Sequence, residues 1–310
     1  MITVVGEALV DLIEGPPGTT LAHPGGSPAN VAVALARLGD ATGLLTQVGA
    51  DPHGRLILDH LAANGVRLTP GTLHAATPTS VARTTPAADG QADYSFDVTW
   101  RRFSPAPSTV EGDCLHTGSI AAFLDPGAAD VAALVRNARA TATVSYDPNC
   151  RPSLMGGRAT AARRVEDLVA LSDIVKVSQE DLAWLYPSQS YVDTGRAWLA
   201  HGARLVVVTL GAAGAWAATG DVAVAVAAPR TAVVDTVGAG DTFTAGLLHA
   251  CAAEGLLGAA NRDRLASVSP ATLTAMLTFA SRAAGITCSR RGADPPTLAE
   301  LHGQAGSGSS

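Results

Sequence analysis

Lysine is almost missing from this chain of 310 residues. Of its 21 lysine and arginine residues, only Lys176 is a lysine. No G-x-x-x-x-G-K-[ST] motif occurs, which excludes a P-loop, and the lysine-dependent set of protein-kinase motifs is disfavoured on the same ground. Schiff-base chemistry would have Lys176 as its one candidate. If the chain handles nucleotide phosphates, it does so with backbone amides, a metal ion and arginine.

The chain also has few cysteines, no long apolar run and no excess of positive charge. The four cysteines are scattered and form no C-x-x-C pair, so we expect reduced thiols instead of disulfides or a zinc site. No run of 18 or more apolar residues occurs, and the first residues read as a strand, not as a signal peptide. We therefore expect a cytoplasmic protein that does not span a membrane. The net charge of −6 and the pI near 5.7 argue against a nucleic-acid partner.

The most informative segment is D-T-V-G-A-G-D-T-F at residues 235–243, between an apolar strand-like run and a helix-like run. Gly238, Ala239 and Gly240 leave backbone N–H groups free at the start of a helix, where the helix dipole is positive. This pattern predicts an anion site. A carboxylate directly beside such a site, Asp241, suits the removal of a proton from a hydroxyl that attacks a phosphate.

Two other interpretations of this segment stay open at this point. It could be a glycine turn in which Asp241 is an ordinary helix N-cap. A dinucleotide-binding fingerprint fits less well, because it requires G-x-G-x-x-G and the sixth position here is Phe243. Spacing alone does not decide between the anion site and the turn.

Strand-like and helix-like segments alternate along most of the chain. Apolar residues share one face of a predicted helix at residues 29–38, which Ser27 can cap. Residues 205–209 form a continuous apolar run, typical of a parallel strand covered on both faces. The repeated units predict an α/β protein with a doubly wound, mostly parallel sheet. Further strands are predicted at 42–48, 114–119, 142–147, 174–177 and 222–226 with 232–234, and further helices at 54–63, 128–140, 158–171, 179–185 and 273–286.

Two segments interrupt the alternation. Residues 7–14 and 72–100 contain short strand-like stretches without helices between them, and the pieces 80–84 and 93–97 are typical of a hairpin. Strands outside the main sheet predict a small β-lid over the carboxyl ends of the parallel strands, where a ligand would lie.

The chain shows no internal repeat and no interdomain linker, so we expect a single domain over residues 1–302. Its Gly/Ser-rich end at 303–310 is expected to be a disordered tail. A lid hairpin often leaves an apolar face that pairs with a second subunit, so we also expect a homodimer.

Five separated motifs stand out along the chain. They are G-G-S-P-A-N at 25–30, D-P-N-C-R-P at 147–152, K-V-S-Q-E-D at 176–181, T-L-G-A-A-G at 209–214, and the segment at 235–243. In this order they resemble the motifs of the PfkB (ribokinase-like) sugar kinases, over about residues 2–300. The D-P-N-x-R segment and R-G-A-D-P-P at 291–296 are most similar to bacterial fructokinases. The resemblance implies a ribokinase-like fold and transfer of the ATP γ-phosphate to a sugar hydroxyl, with fructose as the first choice.

The resemblance also implies roles for individual residues. Asp241 corresponds to the family's catalytic base, and the catalytic set comprises Asp241, Gly238, Ala239 and Gly240. Physical reasoning supports the sugar contacts, because a carboxylate accepts directional hydrogen bonds from hydroxyls and paired glycines let the backbone approach a ligand. The substrate-binding residues are predicted to be Asp11, Gly25, Gly26, Asn30, Arg151 and Asp241.

Structural alternatives exist for three of these residues. Asp11 could be a solvated hairpin residue, Asn30 a buried polar group tied to backbone, and Arg151 a surface residue that caps a helix end. The nucleotide contacts implied by the resemblance are Ser178, Thr209, Gly211, Gly214, Gly240, Ala280 and Ala283. For the two alanines, which the family pattern places beside the adenine, plain helix packing is the alternative.

Magnesium would bridge the ATP phosphates with few protein ligands. The family's N-x-x-E pattern, whose glutamate holds magnesium through water, is replaced here by Ser178 and Asp181, with Glu180 adjacent. Either Asp181 or Glu180 could take that role. The resemblance also implies a monovalent cation, expected to be potassium, near Asp235 and the carbonyls of 235–237 and 285–292.

Within the family, 2-keto-3-deoxygluconate kinase and ribokinase are the alternatives to fructokinase. A nucleoside kinase fits less well, because the lid segment offers few aromatic side chains to stack a base. Outside catalysis, the chain could be a weakly active sugar-binding member. A nicotinamide oxidoreductase would need the missing third glycine.

Overall fold

The computed structural model describes residues 1–14, 19–69, 72, 77–86, 92–104 and 106–303. The strands are β1 (Ile2–Val5), β2 (Leu9–Glu14), β3 (Thr20–Gly25), β4 (Thr42–Leu45), β5 (Arg67–Leu68), β6 (Val81–Pro86), β7 (Ala92–Asp97), β8 (Cys114–Gly118), β9 (Thr143–Asp147), β10 (Ile174–Ser178), β11 (Leu205–Thr209), β12 (Ala215–Ala218) and β13 (Ala223–Val226). The helices are α1 (Ser27–Arg37), α2 (Pro52–Ala63), α3 (Gly127–Ala138), α4 (Pro152–Met155), α5 (Arg158–Val169), α6 (Gln179–Leu185), α7 (Tyr191–Ala200), α8 (Ala239–Ala253), α9 (Arg262–Ala266), α10 (Pro270–Cys288) and α11 (Leu298–Gly303).

Nine strands form the main sheet, in the order β13-β12-β11-β10-β9-β8-β1-β4-β5. The strands from β11 across to β5 pair in parallel, and β12 and β13 add an antiparallel edge. The central strands β8 to β11 are buried along nearly their whole length because helices cover both faces, and β11 is the continuous apolar run that the sequence predicts. The predicted α/β class with a mostly parallel sheet is confirmed.

The edge of this sheet differs from the sequence prediction. Residues 223–226 form the antiparallel strand β13, whose side chains alternate in exposure. Residues 232–234 were predicted to continue a strand but are irregular, with Val233 and Val234 65% and 57% exposed. Apolar composition alone suggested a strand there, yet no neighbouring strand pairs with this segment among the described residues.

A second sheet contains four strands in the order β3-β2-β6-β7. Strands β6 and β7 pair antiparallel, so the predicted hairpin is present, although its connecting residues 87–91 lie outside the described ranges. Strand β3 was not predicted, because its sequence T-L-A-H-P-G lacks an apolar alternation and most of its residues are exposed. Residues 304–310, which include nearly all of the predicted tail, also lie outside the described ranges.

Helices pack on both faces of the main sheet. One hydrophobic cluster combines residues of α1, α2, α8 and α10, and the other combines residues of α3, α5, α6 and α7. Helices α8 and α10 approach closely, since a methyl group built on Gly246 would lie 2.9 Å from the Cα of Ala280. Among the helices that the structure describes, none has the length and apolar character needed to cross a membrane.

The parallel pairing gathers the motifs at one edge of the sheet. Gly118 and Asp147 are register partners at the carboxyl ends of β8 and β9, and Ser178 and Thr209 are partners at the ends of β10 and β11. Strand β1 ends at Val5, from which the chain passes into the second sheet. The crevice outside the carboxyl ends of such strands is where ligands bind in open α/β sheets.

The link between the two sheets carries a buried acid, Glu7, which is 2% exposed. Its Oε2 accepts a hydrogen bond of 3.0 Å from the backbone N–H of Ala121. Burial raises the pKa of Glu7 to about 7, and hydrogen bonds from Ser119 and from backbone N–H groups only partly oppose this effect. The ionised form is therefore disfavoured in the folded protein.

Replacing this acid should change how stability depends on pH. A carboxyl whose pKa is raised on folding contributes stability that is lost as pH rises from its unfolded value to its folded value. We expect the free energy of unfolding of the wild type to fall relative to Glu7→Gln between about pH 4.5 and about pH 7, by no more than about 3.4 kcal/mol. Urea unfolding at a series of pH values measures this difference.

The control is Glu14→Gln, which changes an exposed residue at the end of the neighbouring strand β2. It should keep the wild-type dependence on pH. Equal slopes for wild type and Glu7→Gln over this interval would contradict the assignment of a raised pKa to Glu7.

Candidate functional site

Asp241 lies in the first turn of α8, which begins directly after Gly238. Gly238 adopts a left-handed conformation with φ of 73°, and a methyl group built on it would lie 2.5 Å from the Cβ of Ala293. Glycine is required here by both conformation and space. Among the described residues, the backbone N–H groups of Gly240 and Asp241 find no acceptor. The helix start therefore offers free donors beside a buried carboxylate.

Two side chains of α1 hold the Asp241 carboxylate. Ser27 Oγ donates a hydrogen bond of 2.7 Å to Oδ1, and Asn30 Nδ2 donates one of 2.8 Å to Oδ2. Burial raises the pKa of Asp241, and these two hydrogen bonds oppose that effect. The carboxylate has one bond to each oxygen, so each oxygen keeps acceptor capacity for a further hydroxyl.

Ser27 was predicted to cap α1, and this prediction is wrong. The N-cap position is occupied by Gly26, with φ of 98°, and Ser27 is the first helical residue. Its hydroxyl is turned toward Asp241 instead of toward the backbone of α1. Asn30 is likewise bonded to a side chain of α8, so the alternative of a polar group tied to backbone does not describe it.

Asp11 approaches the same space from β2 of the second sheet, where its register partners are His23 and Ala82. A methyl group built on Gly25 would lie 2.0 Å from Asp11 Oδ2, so the carboxylate occupies room that only glycine leaves free. Burial raises the pKa of Asp11 to about 6; the charges of His23 and Arg151 lower it, and that of Asp241 raises it. Asp11 is thus a partly buried acid that is electrostatically coupled to Asp241.

Arg151 lies below this acid cluster. It is the N-cap residue of the short helix α4, and its Nη1 donates to Asn149 Oδ1 at 2.8 Å and to the carbonyl oxygen of Cys150 at 2.9 Å. Its positive charge lowers the pKa values of both Asp11 and Glu7. Arg151 is half-buried and its side chain makes no capping bond to α4, so the alternative of a surface residue that caps a helix end does not describe it.

A buried ion pair lies on the other side of Asp241. Lys176 Nζ donates to Asp147 Oδ2 at 2.8 Å, and the two side chains are 6% and 2% exposed. Although burial alone lowers the pKa of Lys176, the charge of Asp147 and its hydrogen bond raise it above the ordinary value. The amine is held protonated, which is unfavourable for Schiff-base chemistry. The motifs that contain Lys176 and Asp147 were both recognised in the sequence, but the ion pair between these two residues was not predicted. The signal that could have pointed to it is that the chain has a single lysine.

The residues predicted to contact nucleotide lie at the end of β11 and in the turn that follows it. Thr209 is half-buried, and Gly211 is exposed, with no atom near a methyl group built on it. Gly214 serves another purpose, since a methyl group there would lie 2.0 Å from the carbonyl oxygen of Val226. Thr209 and Gly211 thus keep surface exposed to solvent, whereas Gly214 lets two backbone segments approach each other.

Ala280 and Ala283 do not lie where the prediction requires. Both are fully buried in α10, and both face Gly246 of α8. Small side chains at these positions allow the two helices to pack closely, and no surface of either methyl group is left for an adenine ring. The alternative of plain helix packing describes them.

Ser178 and Asp181 are bonded to each other. Ser178 caps α6 by accepting a hydrogen bond of 3.0 Å from the Asp181 backbone N–H, and its hydroxyl donates to Asp181 Oδ2 at 2.7 Å. Asp181 Oδ1 accepts a bond of 3.0 Å from the Cys150 N–H. Burial, followed by the charge of Asp147, raises the pKa of Asp181. Glu180 is exposed on the first turn of the same helix.

Asp235 joins the loop before α8 to the segment after α10. Its Oδ2 accepts a bond of 2.8 Å from the Gly292 N–H, and its Oδ1 accepts one of 3.0 Å from the Val237 N–H. Partial burial raises the pKa of this acid, but these backbone donors outweigh it, so the pKa is lowered. Asp235 is thus an ionised group close to the helix start. Within the described ranges, no three His, Cys, Asp or Glu side chains come together as a metal cage.

Comparison with known proteins agrees with this geometry. The family model described as pfkB family carbohydrate kinase matches residues 1–300. Fructokinase from Rhizobium leguminosarum bv. trifolii is 37% identical over 269 residues, which cover 83% of this chain and 81% of that protein.

Solved structures extend the similarity to the fold. A fructokinase double mutant from Vibrio cholerae O395, with fructose, ADP and potassium ion bound, is 30% identical with a TM-score of 0.81, and the match covers 97% of both chains. Aminoimidazole riboside kinase from Salmonella enterica, complexed with aminoimidazole riboside and an ATP analog, is 26% identical with a TM-score of 0.80 over 97% of this chain and 98% of that chain. The predicted ribokinase-like fold is confirmed, and the chain belongs to the pfkB family of carbohydrate kinases.

Proposed function

We propose that this carbohydrate kinase is an ATP-dependent fructokinase that forms fructose 6-phosphate. The observation that carries the proposal is the placement of Asp241, a buried carboxylate beside free N–H donors at the start of α8. Fructose is favoured over other sugars because the relatives at 37% identity are fructokinases.

Asp241 acts as the base in this proposal. Ser27 and Asn30 fix its two oxygens, so the carboxylate is oriented before the sugar arrives. Its raised pKa makes it a better proton acceptor than a solvated aspartate. One remaining acceptor position receives the attacking hydroxyl, and the proton passes to the carboxylate late in a loose transition state.

The N–H groups around Gly240 would bind the oxygens of the transferred phosphoryl group. They lie at the positive end of α8, and their orientation is fixed by the helix start and by the left-handed Gly238. Donors that are already oriented stabilise developing negative charge without reorganisation. This arrangement supports the roles of Gly238 and Gly240 in an anion hole, whereas the N–H of Ala239 already donates to the carbonyl oxygen of Thr236 at 3.2 Å.

The sugar would lie between the main sheet and the four-stranded sheet. Asp11 and Asn30 supply polar atoms from opposite sides, and Gly25 and Gly26 leave the backbone accessible. Arg151 lies below and offsets the charge of Asp11. We propose that the four-stranded sheet is a β-lid of the single domain, which excludes water when the sugar is bound.

ATP would occupy the crevice beside Thr209 and Gly211. Asp181 keeps acceptor capacity on both oxygens and suits a contact through water with magnesium, whereas a direct protein cage is not formed by the described residues. Asp235 is ionised and suits a monovalent cation, with potassium as the choice. Bound magnesium and potassium would supply positive charge that offsets the phosphates.

Two further proposals concern the assembly and its setting. Ile13 and Leu21 are register partners on β2 and β3, and they are 41% and 58% exposed. This apolar pair supports a homodimer formed through the four-stranded sheet. Consumption of ATP supports a cytoplasmic location.

Substrate choice is tested by ADP release from Mg·ATP with a panel of acceptors. We expect rapid turnover with fructose and slow turnover with ribose, 2-keto-3-deoxygluconate and aminoimidazole riboside, and we expect potassium to increase the rate over sodium. Preference for another acceptor would agree with the assignment as a kinase but would contradict fructose as its substrate. A panel without any turnover, but with measurable sugar binding, would indicate a weakly active sugar-binding protein.

The base is tested with Asp241→Asn. The amide keeps the size of the carboxylate but cannot accept the proton, so turnover should fall by roughly 10²–10⁴-fold. Fructose affinity, measured by calorimetry, should stay within a few fold. Asp263→Asn is the matched control, since it changes an exposed aspartate in the first turn of another helix, α9. Wild-type turnover in Asp241→Asn would contradict the assignment.

The sugar contact of Asp11 predicts a dependence of fructose KM on pH. Protonation removes the carboxylate as an acceptor, so KM should rise about tenfold per pH unit below about pH 6. A plot of log KM against pH should therefore bend at about pH 6, and initial rates at saturating ATP measure this bend.

Two variants identify the group whose titration causes this dependence of fructose KM on pH. Asp11→Asn should raise KM at pH 8 and remove the bend. His23→Gln should move the bend upward, because the charge of His23 lowers the pKa of Asp11. The charges of Arg151 and Asp241 face the same carboxyl and stay unchanged in both variants. A bend that persists in Asp11→Asn would assign the titration to another group.

A further inference from the structure

The buried pair of Lys176 and Asp147 lies directly beneath the start of α8. Thr244, in the second turn of that helix, donates to Asp147 Oδ2 at 3.3 Å and to the carbonyl oxygen of Gly240 at 3.1 Å. A methyl group built on Gly240 would lie 3.2 Å from Lys176 Nζ. The ammonium group therefore lies next to the turn that carries the free N–H donors and Asp241, with room for about one methyl group between them.

The composition of the chain adds an independent observation. Every other residue of the lysine and arginine class is arginine, yet the one lysine occupies this buried site. A guanidinium group is planar and broad with five donors, whereas an ammonium group is a compact point charge. Here the compact ammonium group bonds Asp147 and lies next to Gly240.

Several other ionisable groups surround the ammonium. Asp147 approaches from β9, Asp241 from α8 and Asp181 from α6, and all three raise the pKa of Lys176. His116 on β8 faces Asp147 and Lys176, but burial lowers its pKa to about 4, so it is neutral at ordinary pH. Lys176 is accordingly the cation that faces both Asp241 and its acidic neighbours from within the sheet.

We propose that Lys176 is a positioning residue for phosphoryl transfer, held by Asp147 so that its ammonium group supports the first turn of α8 from below. It contributes positive charge beneath the anion hole, and it keeps Asp241 ionised and ready to accept a proton. Thr244 links the pair to the backbone of that turn. This inference rests on the proposed function of Asp241 as the base.

The decisive variant is Lys176→Met, which keeps an unbranched side chain one atom shorter and removes its charge. Lys176 lowers the pKa of Asp241, so its loss should raise that pKa. The acidic limb of the kcat profile should therefore move to higher pH. We expect kcat at pH 7 to fall about tenfold or more, whereas fructose KM should change only a few fold.

The matched control is Arg262→Met. Arg262 pairs with Asp173, whose side chain is 1% exposed, so this variant also leaves a buried aspartate without its cation. It should lose stability without a shift of the pH profile. An unshifted acidic limb in Lys176→Met, or an equal shift in Arg262→Met, would overturn the positioning role while leaving the kinase activity in place.

A second measurement requires neither turnover nor folding of the variant. A single lysine gives a single ¹⁵Nζ resonance in lysine-labelled wild-type protein. This resonance should move when Mg·ADP, fructose and aluminium fluoride are added together, and less with fructose alone. It should also differ between wild type and Asp241→Asn.

These experiments distinguish a failure of the proposed reaction from a failure of the positioning role of Lys176. An inactive substrate panel with a responsive lysine resonance would count against the proposed reaction but keep the contact between Lys176 and the helix start. A resonance that is indifferent to all ligands and to Asp241→Asn would overturn the inference, even in an enzyme that phosphorylates fructose rapidly.

Discussion

The two hydrogen bonds from Ser27 and Asn30 to Asp241 are the interaction on which this site depends. They join helices whose residues are 214 and 211 positions apart in sequence. Asp241 is buried, and an isolated buried carboxylate would take up a proton or leave its position. The pair of donors from α1 keeps the carboxylate in place at the start of α8. The site therefore exists only when both ends of the fold have assembled.

The acids around this carboxylate share its response to burial. Glu7, Asp11, Asp181 and Asp241 all have raised pKa values because they are buried. Two cations recur among the causes of these pKa shifts: Arg151 acts on Glu7 and Asp11, and Lys176 acts on Asp181 and Asp241, while His23 acts on Asp11 alone. An acidic crevice with few protein cations suits ligands that bring hydroxyl donors and metal ions of their own.

The sequence predicted those features that follow from local patterns. The continuous apolar run of β11, the hairpin of β6 and β7, and the glycine segment before Asp241 all lie where they were expected. Contacts between distant segments could not be predicted in this way. Ser27 looked like a helix cap because its partner is far away in sequence, and Ala280 looked like a ligand contact because Gly246 on another helix was not considered. Strand β3 escaped prediction because it is polar and is held by backbone pairing with β2.

The position of Lys176 also determines how a lysine-specific protease can cleave the protein. An enzyme that cleaves only after lysine has one target in the whole sequence, and that target lies inside β10, a strand paired on both sides within the main sheet. Cleavage requires this strand to leave the sheet, so exposed loops give such a protease nothing to cut. The rate at which the intact chain disappears would report the opening of the sheet itself, with a single pair of fragments as the product.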